Sequence, residues 1–153
     1  METRQTCPEC GAVWQEGQTC QDYFYSMLAW EHEKPENLTV HHLMVLGYHL
    51  QHPSLYSPEG LRGAIRLLDE FVGRGLKPEQ VRKQNRAAVD SSQRTWKITA
   101  RPDSHGAYDC PVHWTMTAAN VIENGIDNYC GSVRAWAHSM YESLKGAGIL
   151  AAR

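Results

Sequence analysis

What this chain lacks narrows its function first. No apolar run approaches the roughly 18–20 residues that cross a bilayer, so no membrane span is expected. Residues 1–6 have none of the apolar character of a secretion signal, and the expected compartment is the cytoplasm, where thiols stay reduced. The formal charge is -2 and the basic residues are dispersed; without a basic stripe, nucleic acid is not an expected partner. Serine hydrolase signatures, a phosphate-binding P-loop and the dinucleotide GxGxxG pattern are all missing, so no standard catalytic motif assigns an activity. There is no internal repeat, no low-complexity segment and no second Cys-x-x-Cys.

What is present centres on one such pair. In Cys7-Pro8-Glu9-Cys10-Gly11, two thiols lie three positions apart. Pro tightens the turn and Gly permits positive φ after the second Cys, an arrangement that aims both sulfurs at one ion. Cys20 follows as a third donor. The chain has 5 cysteines, an odd number, and in a reducing compartment that favours metal ligands or free thiols over disulfides. Candidates for a fourth ligand are His41, His42, His49, His52, Cys110, Cys130 and His138.

At 153 residues the chain can bury a hydrophobic core, and one helical domain over residues 1–153 is expected. Helical periodicity runs from Cys20 to about Glu33, with Cys20, Phe24, Met27, Leu28 and Glu31 on one face. Glu31 is the odd member, a carboxylate on an apolar stripe. Lys34-Pro35-Glu36-Asn37 forms a turn, and a second helix is predicted from about Leu38 to His52, stopped by Pro53. It carries two stripes, Leu43, Leu46 and Leu50, and His41, Val45, Tyr48 and His52.

Ser57-Pro58-Glu59 starts a third helix that should reach about Arg74 before Gly75. A shorter polar helix follows Lys77-Pro78-Glu79 and ends near Val89. Trp96–Thr99 alternates like a strand, and residues 100–115 read as a long loop. Thr117 caps a short helix over Ala118–Glu123, and Asp127 opens the last, whose core face is Val133, Trp136, Met140 and Leu144. The expected fold is all-α: a bundle of about six helices, an N-terminal zinc knuckle and at most one minor β-hairpin.

An antiparallel hairpin across the Lys34–Asn37 turn places Cys20 beside Gln51 and His52, and Glu31 beside Val40 and His41. Helix rise separates His41 from His52 by roughly 16 Å, so one ion cannot take both. The first choice is a Cys3His site of Cys7, Cys10, Cys20 and His52. Zinc is preferred for its thiolate-rich tetrahedral chemistry, with Cys130 the main competitor for the fourth place. Residues 7–20 would then form a knuckle packed on the hairpin of residues 20–52.

Cys7-x-x-Cys10-Gly11-Ala12, the lone Cys20, and Val40-His41-x-Leu43-x-Val45-x-x-Tyr48-x-x-Gln51-His52-Pro53 resemble a family of uncharacterised bacterial proteins. In that family a CPxCGA knuckle is followed by a lone Cys at a helix start and a segment of the form VHxLxVxxYxxQHP. The resemblance covers roughly residues 7–55, departing in a shorter Cys10–Cys20 connector and in the extra His42 and His49. It implies roles for His41 and His52 rather than His42 and His49, and it carries no assigned activity.

Glu31 with His41, and with His42 and Tyr48 nearby, is a second candidate cluster. A carboxylate and an imidazole in contact can perform acid–base chemistry or ligate a second metal, but most buried polar pairs simply satisfy one another. Asp103, His105, Asp109 and His113 in the long loop read as solvated. Trp14, Trp30, Trp96, Trp114 and Trp136 read as core or interface anchors. Two functions are therefore expected in order. The first is a helical protein with a structural zinc that acts by binding a protein or small-molecule partner. The second is a metal-dependent, hydrolase-like enzyme with Glu31 and His41 as candidate catalytic residues. The sequence assigns neither an oligomeric state nor a specific partner.

Overall fold

The computed structural model describes residues 5–84, 100 and 104–151. Six α-helices lie within them: α1 (Cys20–Glu33), α2 (His41–Leu50), α3 (Pro58–Leu68), α4 (Pro78–Gln84), α5 (Ala118–Asn124) and α6 (Tyr129–Gly146). No strand beyond isolated bridges occurs among the described residues, so the all-α expectation holds. No helix among them is long and apolar enough to cross a membrane. The predicted strand at Trp96–Thr99, the end of the α4 segment near Val89, and Asp103 lie outside the described residues.

Local chemistry sets the helix starts. Asp22 accepts the Thr19 backbone N–H at 2.8 Å, closing a capping box at the head of α1. Ser57 Oγ accepts from the Gly60 N–H at 2.9 Å to start α3, with Pro58 in the first turn. The Asn120 side chain accepts the Thr117 N–H at 2.8 Å ahead of α5, and Gly125, at φ +85°, ends that helix.

Three predicted helices differ in winding. The α2 segment begins as a 3-10 turn over Pro35–Val40, with Pro35 in its first position, before becoming α-helical at His41. The α3 segment changes to π winding over Asp69–Gly73 before Gly75 turns the chain at φ +67°. The α6 segment is preceded by a 3-10 turn over Ile126–Asn128, so Asp127 sits in that turn and pairs with Lys34 at 2.9 Å instead of capping the helix.

Helix α6 is the central element. It packs against α2, α5, the 3-10 turn of residues 35–40 and the π turn of residues 69–73, while α1 lies against α5. Val133, Trp136, Met140 and Leu144, the predicted face, are fully buried. The α2–α6 crossing is close because Gly47 lacks a side chain: a Cβ there would sit 2.6 Å from Met140 Cε and 3.4 Å from the Trp136 ring. On α1 the buried face is Cys20, Tyr23, Met27 and Glu31, with Phe24 and Leu28 only half-buried. The face turns toward Tyr23 because its hydroxyl accepts the Gln15 N–H at 2.9 Å, fastening α1 to the N-terminal segment.

Candidate metal centre

The N-terminal segment folds as a tight loop. Cys7 N–H bonds to the Ala12 carbonyl at 2.9 Å, Gly11 N–H bonds to the Cys7 carbonyl at 3.0 Å, and Thr6 bridges Val13 in antiparallel fashion. Gly11 sits at φ +79°, the left-handed conformation expected of it. This loop turns the Cys7 and Cys10 thiols to one side. Cys20 arrives as the first residue of α1, where the helix dipole favours an anionic sulfur. His52 follows the end of α2.

The four side chains meet. The ligand atoms of Cys7, Cys10, Cys20 and His52 lie within 4.8 Å of one another and all four residues are buried. Cys7 Sγ is 3.5 Å from His52 Nε2, and Cys10 Sγ is 3.6 Å from Cys20 Sγ. A tetrahedral ion with metal–sulfur bonds of about 2.3 Å and metal–nitrogen bonds of about 2.0 Å sets sulfurs about 3.8 Å apart and sulfur from nitrogen about 3.5 Å. The two close contacts therefore match edges of such a tetrahedron. A disulfide, at about 2.05 Å, is far shorter than the Cys10–Cys20 contact, and all five cysteines are free thiols. A buried Cys3His group is thus in place that can hold a metal ion, the arrangement expected from the sequence.

Surrounding groups fix the donors. His52 Nδ1–H donates to the Tyr48 carbonyl at 2.5 Å, leaving Nε2 to face the sulfurs. The Tyr48 ring lies on the imidazole with centroids 4.6 Å apart, and burial pushes its hydroxyl up to about 12. Trp14 Nε1–H donates to Cys20 Sγ at 3.2 Å. The Glu9 carboxylate accepts the Ser54 N–H at 3.1 Å, tying the loop to the turn after His52.

Without a cation, the sulfurs compete for protons. Hydrogen bonds from Cys10 and Cys20 hold the Cys7 thiol far below its ordinary range, while Cys20, Cys7 and burial push Cys10 far above it. Burial opposes a charged His52, but the Cys20 and Cys7 sulfurs and the Tyr48 carbonyl outweigh it and push the imidazole up to about 10. These four side chains would release the shared protons on holding a divalent ion, which would relieve the competition.

The rejected candidates for the fourth place lie elsewhere. Cys130 Sγ donates to Asn37 Oδ1 at 3.4 Å, and Cys110 Sγ to the Ala147 carbonyl at 3.3 Å. His42 packs edge-on against Phe71, His49 Nδ1–H donates to the Val45 carbonyl at 2.8 Å, and His138 pairs with Glu142 at 3.9 Å.

Glu31 and His41 do meet, as expected from the hairpin register. His41 Nδ1 lies 2.6 Å from Glu31 Oε1; the carboxylate side chain is 1% exposed and the imidazole 47%. The companions differ from those expected. Tyr129 Oη donates to Glu31 Oε2 at 2.5 Å, whereas Tyr48 lies on Phe24 and His52, and His42 on Phe71. The sequence does not single out Tyr129; its place at the head of the α6 core face is the signal it carries. Burial, with the Glu31 bond, pushes its hydroxyl far above the usual range. Both carboxylate oxygens thus have donors facing them, and the Cys3His set is the group of three or more potential ligands found among the described residues. Of the loop residues, His105 Nδ1 contacts the neighbouring Gly106 carbonyl at 3.2 Å, and His113 lines a groove beside the knuckle.

A family model describing a "Family of unknown function (DUF5946)" matches residues 5–145, and the chain belongs to that family. No curated protein and no solved structure gives a significant match.

Proposed function

We propose that this protein binds one zinc ion through Cys7, Cys10, Cys20 and His52, and that the ion is structural. The observation that supports this most is the gathering of four buried donor atoms within 4.8 Å, drawn from three separate segments of chain. Zinc suits three thiolates and an imidazole in tetrahedral array, and four protein ligands leave no open position for a substrate. The ion would pin residues 7–19 to the heads of α1 and the turn after α2, completing one helical domain that works in the cytoplasm by binding a partner. Elemental analysis of purified protein tests this: one zinc per chain is expected, lost with Cys7→Ser and kept with His41→Ala. Absence of zinc from reduced, folded protein would overturn it.

A second reading, a metal-dependent hydrolase using Glu31 and His41, has the 2.6 Å contact between them in its favour. It requires a second metal equivalent that disappears with Glu31→Gln or His41→Ala. Against it, each Glu31 oxygen already accepts a hydrogen bond, from His41 and from Tyr129, and a metal there would compete with these donors.

A further inference from the structure

Beside the metal centre runs an open groove of about 1470 Å³, one wall formed by the knuckle and the other by residues 112–123. Its volume exceeds the roughly 300–1,000 Å³ of sites that enclose small molecules, so a longer occupant fits it better. Three carboxylate residues, Glu9, Glu16 and Glu123, are among its lining, and no lysine or arginine is among the described lining residues. Apolar surface is interleaved with them: Trp14 and Trp114 on opposite walls, Ile122, and Val13, which is 48% exposed.

The backbone adds an independent observation. Around the Thr6–Val13 bridge, hydrogen bonds run from Cys7 N–H to Ala12 and from Trp14 N–H to Gln5. Thr6 and Val13 are therefore a non-hydrogen-bonded pair, and the N–H and C=O of Val13 turn outward, away from Thr6. An outward-facing backbone N–H and C=O at Val13, next to an acidic, aromatic-lined groove, offers an extended chain one main-chain pairing point.

We propose that this groove docks an extended, basic segment of a partner protein, which pairs with the Val13 edge, sets apolar side chains against Trp14 and Trp114, and places Lys or Arg near Glu16 and Glu123. The proposal rests on the structural-zinc reading, because the knuckle forms one wall, and it names the kind of partner that reading leaves open. Charge complementarity selects this occupant over an acidic peptide or a nucleic acid.

The test is selection of a random dodecapeptide phage library on the zinc-loaded full chain, followed by fluorescence anisotropy of the enriched peptides. Enriched sequences should carry net positive charge around aromatic or aliphatic residues. Their affinity should fall at least 10-fold with Glu16→Lys/Glu123→Lys, a change of two exposed residues expected to leave zinc content and thermal midpoint unchanged. The inference is overturned if nothing enriches, if enriched peptides lack basic residues, or if the double variant binds them equally. It is also overturned if sedimentation shows the groove filled by a second copy of the chain, in a dimer that the double variant dissolves. Zinc measured on the same samples separates the two claims: zinc present without peptide binding removes only the docking, whereas a zinc-free folded chain removes the metal reading.

Discussion

Cys7 Sγ and His52 Nε2 stand 3.5 Å apart although they are 45 positions apart in the chain. That contact joins the N-terminal loop to the end of α2, and its strength depends on what lies between sulfur and nitrogen. An unassisted thiol–imidazole contact adds little, whereas coordination turns metal-binding free energy into folding free energy.

Removing the ion should therefore soften the whole fold. A site saturated about 1,000-fold above its Kd stabilises by about 4 kcal/mol, and at this chain length each kcal/mol moves the midpoint by about 2–4 °C. Calorimetry with and without a strong chelator should show a fall on the order of 10 °C, recovered on adding zinc. An unchanged midpoint would mean that the loop contributes nothing to stability.

Trp14 supports the site without being a ligand. Its indole N–H bonds to Cys20 Sγ at 3.2 Å, and such outer contacts are worth about 10–100-fold in metal affinity. Trp14→Phe should retain zinc stoichiometry but weaken binding by about that factor in competition with a chromogenic chelator. Affinity equal to wild type would show that the N–H···S contact does not tune the thiolate.

Glu31 calls for a different measurement. Tyr129→Phe keeps the ring in the core and removes one hydrogen bond to a buried carboxylate, a loss of about 1.5–3 kcal/mol. Urea titration should show a lower midpoint at unchanged slope. Its zinc content should match wild type, because Glu31 and Tyr129 lie outside the Cys3His group.

His42 provides a pH dependence separate from the Cys3His group. Burial first, then repulsion from His41 and Arg134, holds its imidazole below the usual range, with Glu79 acting in the opposite sense. At His42 the folded state thus takes up fewer protons than the unfolded state as pH falls through about 6.5. This residue's support is complete above that pH and is lost as pH falls. His42→Phe, which keeps a ring against Phe71, should flatten the loss of stability between pH 7 and 5.5. An identical slope in both proteins would contradict this.

Much of this architecture is legible in the sequence. The bounds of α1 followed from Thr19 and from the Lys34-Pro35 break, and the register across that turn paired Glu31 with His41 and brought Cys20 near His52. Both inferences use short-range rules, helix rise and turn position, that tertiary packing seldom overrides. The burial of Trp136 and Met140 followed from helical period alone.

Other features had no local signature. Tyr129 reaches Glu31 across 98 residues, and nothing in the spacing of either segment encodes that approach. The π winding at Asp69–Gly73 occurs where α6 packs closely, with a Cβ on Gly73 meeting Tyr141 Oη at 2.8 Å. The preference for Tyr23 over Phe24 in the core turns on one hydroxyl reaching the Gln15 amide, a contact invisible to hydrophobic periodicity.

X-ray absorption at the zinc edge tests the central claim most directly. The purified, reduced chain should give a shell of three sulfurs at about 2.3 Å and one nitrogen at about 2.0 Å, with imidazole outer-shell scattering that vanishes in a zinc-loaded His52→Cys variant. A four-sulfur shell in the wild type, an oxygen-rich shell, or a chain that folds fully with no zinc edge would contradict the account.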